Sequence, residues 1–252
     1  MEENKKNPKF IKQDSLYNFP YHYLPENIEQ KITKPFRVHY WLYDYLFMVN
    51  YLINRVNQFQ FENLLDFGCG DGRLINDLKK IKIRNIYGYE ISEQAALFFN
   101  AFNSGTKLIK NLKELSDYNN FFDIIIFSEV IEHIPDGQIK ENIDAIYESL
   151  KNNGFLIITA PSENYPVHNK HYRHYNLEKL LKSFDMSKFE LIDKKFLFKK
   201  NIFKTFFRKI FFNRYFLINS NLLFKAFYYL NNFFFFSEEK NCETIFLLLK
   251  KK

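Results

Sequence analysis

The most constraining feature of the sequence is a short apolar run that ends in a glycine-rich loop. Residues Asn63–Gly68 read NLLDFG, and Gly70 and Gly72 follow closely. Such a run predicts a buried strand, and the glycines after it allow a sharp turn and the close approach of a ligand to the backbone. The dinucleotide-binding fingerprint GxGxxG would need a glycine at position 73, where this chain has Arg73. The sequence therefore predicts a strand, a ligand-binding GxGxG loop and a helix over Arg73–Lys80.

Strand-like and helix-like segments alternate along the rest of the chain. The run Phe122–Ser128 (FDIIIFS) is almost entirely apolar, which is typical of a central strand in a parallel sheet. Ser92 precedes a helical pattern and is expected to cap it. The last strand, Glu243–Leu249, is expected to pair antiparallel with Phe189–Phe198. The other predicted strands are Ile86–Glu90, Lys107–Ile109 and Gly154–Ala160, and the other predicted helices are Phe36–Val56, Glu93–Phe102, Gln138–Leu150 and Leu177–Phe184. This alternation predicts an α/β fold with a parallel sheet and right-handed crossovers.

Composition and cysteine content exclude several classes of protein. Hydrophobic residues make up 46% and charged residues 26% of the 252 residues, which excludes a wholly disordered or fibrous chain. Two cysteines, Cys69 and Cys242, cannot form a disulfide framework and indicate a reducing compartment. The polar N-terminal segment lacks the apolar region of a secretory signal, so a cytoplasmic location is expected.

Four motifs, in order along the chain, resemble those of class I S-adenosylmethionine-dependent methyltransferases. They are LLDFGCGDGRL, GYEIS, FDIIIFSEVIEHIPD and LKNNGFLIITAPSE. The resemblance implies a Rossmann-like seven-stranded sheet with helices on both faces and S-adenosylmethionine as the cofactor. The expected organisation is an N-terminal arm and helix (1–58), a catalytic domain that binds S-adenosylmethionine (59–198), a basic aromatic helical insertion (199–240) and the last strand of the domain (241–252).

The resemblance also implies roles for individual residues around the donor. Glu90 ends the second strand about twenty residues after the loop, where a carboxylate can accept hydrogen bonds from both ribose hydroxyls. Arg37, in the helix before the first strand, is a candidate for binding the donor carboxylate, and its alternative is a solvated arginine at a helix end. The other implied donor contacts are Asp66, Gly68 and Gly70 at the methionine part, Ile91 and Asn111 at the adenine, and Ser128 and Glu129 beside the sulfonium.

The segment Glu129-Val-Ile-Glu132-His133 carries groups that suit the chemistry. Methyl transfer from a sulfonium is an in-line displacement that needs no acid, but an oxygen nucleophile must lose a proton. Spacings of three and four residues predict that Glu129, Glu132 and His133 lie on one side of a helical turn, where they could hold Mg²⁺ or Mn²⁺. The ExxEH sequence resembles two metal-using branches, the ubiquinone-biosynthesis O-methyltransferases and the small-RNA 3′-terminal 2′-O-methyltransferases. In metal-free members of class I, the histidine of a similar turn is a base or is structural.

A histidine cluster follows the fifth predicted strand. His168, His171 and His174 belong to a loop at the carboxyl end of that strand, where such folds bind ligands. His171 and His174 are candidate catalytic residues with His133, as substrate contacts, metal ligands or bases; the alternative is a surface loop packed on the next helix. The small-RNA enzymes follow this HxxH element with a tryptophan motif, whereas Trp41 is the only tryptophan here. The loop is more similar to that of bacterial methyltransferases acting on small molecules or glycans.

Positive charge is concentrated in one C-terminal segment. The net charge is +7, and nine basic residues lie between Lys194 and Lys225 in a stretch without Asp or Glu. Ile202, Phe206 and Ile210 form part of an apolar stripe beside a basic one, which indicates an amphipathic helix. No uncharged stretch there reaches the length of a membrane-spanning helix. Residues 199–236 are expected to contact a membrane surface or a lipid-linked substrate, or to cap the sheet, and nucleic acid is disfavoured.

Together these features predict an S-adenosylmethionine-dependent methyltransferase, O-directed, that acts on a small molecule, a glycan or a lipid-linked intermediate. The enzyme would be cytoplasmic or peripheral at the inner membrane surface. One alternative is an RNA 2′-O-methyltransferase with a metal ion held by the ExxEH turn. Another is a catalytically silent protein that binds S-adenosylmethionine.

Overall fold

The computed structural model describes residues 7–14, 27–28, 31–32, 41–81, 85–202, 206, 210 and 221–252. The strands are β1 (Asn27–Ile28), β2 (Lys31–Ile32), β3 (Asn63–Phe67), β4 (Asn85–Tyr89), β5 (Lys107–Ile109), β6 (Phe122–Ser128), β7 (Leu150–Pro161), β8 (Phe189–Lys199) and β9 (Cys242–Lys251). The helices are α1 (Pro8–Asp14), α2 (Trp41–Val56), α3 (Arg73–Leu78), α4 (Glu93–Phe102), α5 (Leu112–Leu115), α6 (Asp136–Ser149), α7 (Leu177–Lys182) and α8 (Asn221–Phe233), with 3₁₀ turns at Ser116–Tyr118, Ile131–His133 and Glu239–Asn241.

Seven strands form one sheet in the order β5-β4-β3-β6-β7-β9-β8. The neighbours from β5 to β7 pair in parallel, and β9 runs antiparallel to both β7 and β8. The seven-stranded α/β fold and the antiparallel pairing of the last strand are therefore confirmed. Because β3, β4, β6 and β7 are parallel, the loops that follow them meet at one edge of the sheet.

Apolar side chains cover both faces of the sheet, as the alternation along β6 shows. Ile125 and Phe127 belong to a core cluster that includes residues of α6 and α7. Ile124 and Ile126 belong to a second cluster with residues of α2 and α3. All four side chains are fully buried. Successive residues of a strand point to opposite faces, so helices must cover both sides, as the sequence predicts.

The largest boundary error concerns β7, which begins at Leu150 rather than at Gly154 as predicted. Leu150 pairs with Phe122, and the ladder resumes only where Ile124 pairs with Phe155. The intervening Lys-Asn-Asn-Gly residues form an irregularity in which Asn153 has a positive φ of 63°. Asparagine and glycine tolerate this backbone region, so the sequence pattern is that of a turn although the strand continues through it.

The start of α4 agrees with its sequence prediction, and the predicted start of α2 lies outside the described residues. Ser92 caps α4, since its side chain accepts a hydrogen bond from the Ala95 N–H. The first predicted helix, Phe36–Val56, is described from Trp41 onward, so its start lies outside the described residues, as does Arg37. The proposed division into arm, domain and insertion stays a prediction.

The insertion between β8 and β9 contains α8, which packs on α2. The Tyr228 ring stacks on Phe47 with centroids 4.7 Å apart, and the Phe235 ring lies 5.4 Å from that of Tyr51. One side of the insertion is therefore packed against α2. Among the described helices, none combines the length and the apolar character that crossing a bilayer requires.

The predicted amphipathic stripe of the insertion falls only partly within the described residues. Ile202, Phe206 and Ile210 are helical, and their exposed fractions are 82%, 63% and 40%. Phe203, Phe207 and Phe211, the other members of the stripe, lie outside the described residues.

Candidate active site

The glycine loop after β3 has the conformation that its glycines permit. Gly68, Gly70 and Gly72 have φ values of 83°, 56° and 80°, in the left-handed region that favours glycine. A Cβ atom on Gly68 would lie 2.4 Å from Cγ2 of Val130, so the loop approaches the segment after β6 closely. The glycine at position 68 therefore allows the loops after β3 and β6 to come into contact.

Two buried carboxylates lie beneath this loop. Glu90 accepts hydrogen bonds from the Gly70 N–H at 2.9 Å and the Ser92 N–H at 2.7 Å, one on each carboxylate oxygen. Burial raises the pKa of Glu90 above its ordinary value, while the backbone N–H groups oppose that shift. Burial also raises the pKa of Asp66 to about 7, with Glu90 and Asp71 contributing further repulsion. The loop is thus backed by groups that would favour a cationic ligand.

A cavity of about 160 Å³ lies beside the loop and connects it to the ExxEH segment. Gly68, Glu90 and Ile91 line one side, and Glu129, His133 and Lys170 line the other. A neighbouring cavity of about 700 Å³ shares Ile91 and His133 and extends to Asn111. The structure thus brings most of the predicted donor contacts to one place.

Two predicted adenine contacts have different surroundings. Ile91 is 37% exposed and lines both cavities, as a contact to a flat aromatic ligand requires. The Asn111 side chain caps α5 by accepting from the Glu114 N–H at 2.9 Å, and its Nδ2 donates to Glu114 at 2.8 Å. The side chain of Asn111 therefore has a structural role, whereas its role toward adenine stays a prediction.

The end of β6 holds a strained residue. Glu129 has a φ of 54°, which is uncommon for a residue with a side chain and costs about 1–3 kcal/mol. Its N–H donates to the Thr159 carbonyl at 3.0 Å, and the Ser128 hydroxyl lies 2.7 Å from that of Thr159. Burial raises the pKa of Glu129 to about 7, although a hydrogen bond with the Thr159 side chain opposes the shift. Neighbouring β7 thus holds Ser128 and Glu129 beside the cavity.

The ExxEH segment does not form the helical turn that the spacing predicts. Only Ile131–His133 is helical, as a 3₁₀ turn, because Glu129 has left-handed backbone and interrupts the helix. Glu132 is 1% exposed, and its Oε2 has no hydrogen-bond partner in the described part of the chain. Its Oε1 lies 3.8 Å from Nε2 of His133. Burial raises the pKa of Glu132 well above its ordinary value, and Glu129 raises it further.

The histidines of the next loop form a hydrogen-bonded chain that defines their tautomers. Nδ1 of His174 lies 3.0 Å from the Tyr165 carbonyl, which can only accept, so this nitrogen carries the proton. Nε2 of neutral His174 then accepts from Nδ1 of His171, 2.8 Å away. These bonds leave Nε2 of His171 with a lone pair. By the same argument, Nδ1 of His133 donates to the Lys170 carbonyl at 3.3 Å, and Nε2 of His133 keeps its lone pair.

Both lone-pair histidines stay neutral near pH 7. Burial, with the Lys170 ammonium nearby, lowers the pKa of His133 to about 4. Burial and the neighbouring His133 lower the pKa of His171 to about 2. Their ring centroids are 4.7 Å apart. The site therefore presents two unprotonated imidazoles next to a buried carboxylate.

These groups form a triplet whose ligand atoms all lie within 4.8 Å of one another: Glu132, His133 and His171. This triplet differs from the predicted metal set, because His171 takes the place of Glu129, whose left-handed backbone puts it against Thr159 and the cavity. His174 supports His171 from behind and is not a member of the triplet. Arg173 holds the two segments together by donating to the carbonyls of Ile131 and Ile134 at 3.1 and 2.7 Å.

Helix α1 covers the cavity, and sequence reasoning missed it. Lys9 Nζ donates to the His171 carbonyl at 2.6 Å, and Asp14 accepts a hydrogen bond from the Ser92 hydroxyl. Phe10, between them, lines both cavities. The segment PKFIKQD is too short to show a helical period, so this helix was not predicted. Lys170 and Thr159 were also missed, since no spacing pattern marks them.

Comparison with known proteins assigns a family to this arrangement. A family model described as a methyltransferase domain matches residues 32–195. No curated protein matches the chain.

Solved structures share the fold at low sequence identity. A SAM-dependent methyltransferase from Archaeoglobus fulgidus has 15% identity and a TM-score of 0.56, and the match covers 85% of this chain and all of that one. The N-methyltransferase NodS from Bradyrhizobium japonicum, in complex with S-adenosyl-L-homocysteine, has 11% identity and a TM-score of 0.54 over 83% of this chain and 87% of its own. The [4+2]-cyclase SpnF has 16% identity and a TM-score of 0.54 over 82% of this chain and 80% of its own. At these identities the similarity shows the fold alone.

Proposed function

Since the chain belongs to the methyltransferase domain family, we propose that it transfers the methyl group of S-adenosylmethionine to an oxygen atom of an acceptor. The acceptor classes that we propose are a small molecule, a glycan or a lipid-linked intermediate. The observation that supports this proposal best is the cavity that joins the glycine loop to His133, a member of the Glu132–His133–His171 triplet. Such a cavity would let a donor and an acceptor meet.

The donor would bind with its cationic part among buried carboxylates. Asp66 and Glu129 have pKa values raised to about 7 by burial, and Glu90 is also buried. The sulfonium and ammonium groups of S-adenosylmethionine would compensate these charges. Both Glu90 oxygens already accept one backbone N–H, and each keeps a lone-pair direction for a ribose hydroxyl. The exposed side of Ile91 would pack on the adenine.

The triplet would prepare the acceptor. Methyl transfer needs the nucleophile, methyl carbon and sulfur in line, and a hydroxyl nucleophile must also lose its proton. The low pKa values of His133 and His171 make both imidazoles weak bases, but an imidazole that resists protonation is a good metal ligand. Each donates its Nδ1–H to a fixed acceptor, which is the usual support for a metal-ligating histidine.

The donor set fits a divalent cation, because Glu132 also has an Oε2 without a hydrogen-bond partner among the described residues. Glu132, His133 and His171 would hold it. Mn²⁺ suits two imidazoles and a carboxylate better than Mg²⁺, which prefers oxygen ligands. Bound there, the ion would supply Lewis acidity toward an acceptor hydroxyl.

The second candidate is RNA 2′-O-methyl transfer, which the same triplet would serve because a ribose 2′-OH is also an oxygen nucleophile. The two candidates differ in the salt dependence of acceptor binding. Each phosphate contact of an RNA acceptor would make binding weaken steeply as salt rises.

Donor binding is expected to release protons near pH 7 and to tighten as the pH rises from about 6 to about 8. Asp66 has a pKa of about 7 in the unliganded protein. A cationic ligand favours the carboxylate, so it lowers this pKa and expels the proton. Calorimetric titration with S-adenosylmethionine in buffers of different ionisation enthalpy measures the release.

The Asp66→Asn variant is expected to lose the component of proton release that belongs to this residue. Glu129→Gln is the matched comparison, since Glu129 also has a pKa of about 7. An unchanged pH profile in Asp66→Asn, or net proton uptake in the wild type, would show that Asp66 is remote from the donor charge.

The proposed function is tested by incubating the protein with methyl-labelled S-adenosylmethionine and host extract, with and without EDTA. The extract is then separated into lipid, glycan, small-molecule and RNA pools. We expect label in one of the first three pools and loss of label with EDTA, restored by Mn²⁺. Label confined to RNA would support the second candidate. Donor binding without label in any pool would contradict enzymatic function and support a silent binding protein.

A further inference from the structure

The outer face of the insertion exposes large apolar side chains. On α8, Leu222, Tyr229 and Phe233 are 76%, 68% and 82% exposed. At about 100° per residue these three lie within an arc of roughly 40°. The opposite side of the same helix is buried, with Asn231 at 3% exposure. The exposed face is therefore the outer one, and it is more apolar than solvent contact alone would explain.

The segment that carries this face is rich in cations. Residues 194–237 contain nine Lys and Arg residues and no Asp or Glu. Among those described, Lys199, Lys200 and Lys225 are exposed, and Lys225 lies one helical turn from Leu222. The helical residues Ile202 and Phe206 add two exposed apolar side chains at 82% and 63%. Exposed apolar side chains in a segment rich in cations match a surface that is negatively charged where it meets water and apolar beneath.

Both ends of the insertion are attached to the loop between β7 and α7 (residues 162–176), which carries the three histidines and is called the histidine loop below. The Asn164 side chain donates to the carbonyls of Glu239 and Cys242 at 2.6 and 3.0 Å. Lys200 lies over the Tyr165 ring, 4.9 Å from its centroid. The carbonyl of Tyr165 accepts the hydrogen bond that orients His174. The insertion therefore leaves the domain beside the loop that carries His171.

We propose that the insertion docks the protein on anionic phospholipid bilayers, through the outer face of α8, Ile202, Phe206 and the exposed lysines Lys199, Lys200 and Lys225. The apolar side chains enter the boundary between headgroups and acyl chains, and the lysines contact the phosphates. The contact is peripheral, because the other side of α8 packs on α2. Docking also brings the histidine loop to the membrane. The acceptor is therefore lipid-linked, an inference that rests on the proposed function.

Docking is tested by sedimentation of the full chain with vesicles, without donor. We expect binding to equimolar phosphatidylcholine and phosphatidylglycerol vesicles and little binding to phosphatidylcholine alone. The double variant Leu222→Ser and Phe233→Ser is expected to bind at least about tenfold more weakly, because both side chains lose their apolar contact. Lys225→Gln is expected to lose about fivefold for the anionic vesicles.

The matched control replaces two other exposed apolar side chains, Leu97→Ser and Phe102→Ser on α4, which are 65% and 57% exposed. This control is expected to bind like the wild type. Thermal melts show whether each variant is folded. Equal weakening in both double variants, or no binding by the folded wild type, would overturn the proposal. The proposal would also be overturned if this face bound a second copy of the chain, seen as a dimer that the Leu222→Ser and Phe233→Ser double variant dissociates. RNA binding that the same double variant abolishes would overturn it as well.

Failure of docking and failure of the proposed function remain distinguishable. Calorimetry of the same preparation with S-adenosylmethionine reports the donor site independently of vesicles. Donor binding without vesicle binding overturns only the docking surface. Label in the water-soluble pools, together with vesicle binding, supports docking and overturns the lipid-linked acceptor.

Discussion

His171→Ala is expected to lower methyl transfer at least about a hundredfold while donor affinity changes by less than about twofold. His171 belongs to the triplet with Glu132 and His133, and alanine removes its imidazole. The donor side of the cavity is unaffected, because His171 does not line it. Single-turnover rates and calorimetric donor titration measure the two quantities separately.

His168→Ala is the control from the same loop. Its ring centroid is 5.5 Å from that of His171, but it is exposed and lies outside the triplet. It is expected to retain activity. Equal losses in turnover and donor affinity for His171→Ala would mean that the residue only supports the loop. Equal losses for the two variants would contradict a specific role for the triplet.

Gly68→Ala is expected to weaken donor binding at least about a hundredfold and to destabilise the protein by about 2–4 kcal/mol. The new Cβ would lie 2.4 Å from Val130 Cγ2, and the residue would have to keep a φ of 83°. Relieving that contact moves the glycine loop, which lines the cavity. Donor titration and denaturant unfolding measure the two effects.

Gly105→Ala separates the cost of the backbone from the steric clash. Gly105 has nearly the same φ, 82°, but a Cβ there would meet no atom within 4 Å. This variant is expected to lose about 1 kcal/mol of stability and no donor affinity. Adding Val130→Ala to Gly68→Ala is expected to restore part of both losses, since it removes the two closest atoms. If Gly68→Ala bound the donor normally, the glycine loop would not be the donor site.

The fold was predictable because each strand of the seven-stranded sheet carries its own signal. The run Phe122–Ser128 and the loop after Phe67 identify a central parallel strand and the ligand-binding edge, and Ser92 starts α4 as its cap. The start of β7 was missed because Asn153 and Gly154 look like a turn, whereas pairing with β6 keeps the strand together. At these residues the tertiary pairing determines the backbone structure, and the local turn propensity does not.

The site was predictable in content but not in arrangement. Sequence spacing identified Glu132 and His133, and the position of the loop identified His171. The spacing also grouped Glu129 with Glu132 and His133 on a regular helical turn, because spacing arguments assume right-handed backbone throughout. The left-handed φ of Glu129 is set by contacts with Thr159 on another strand, which no local pattern reveals. Lys9 of α1 reaches the cavity from a distant segment and had no local signal either.

Methyl transfer to oxygen is tested most directly by identifying the atom that receives the methyl group. The protein is incubated with S-adenosylmethionine carrying a ¹³C-labelled methyl group and with the extract pool that accepts label, and the product is examined by NMR. We expect a methyl carbon resonance typical of an O-methyl group, absent from the His171→Ala reaction. An N-methyl or C-methyl resonance, or an O-methyl product formed equally well without His171, would contradict it.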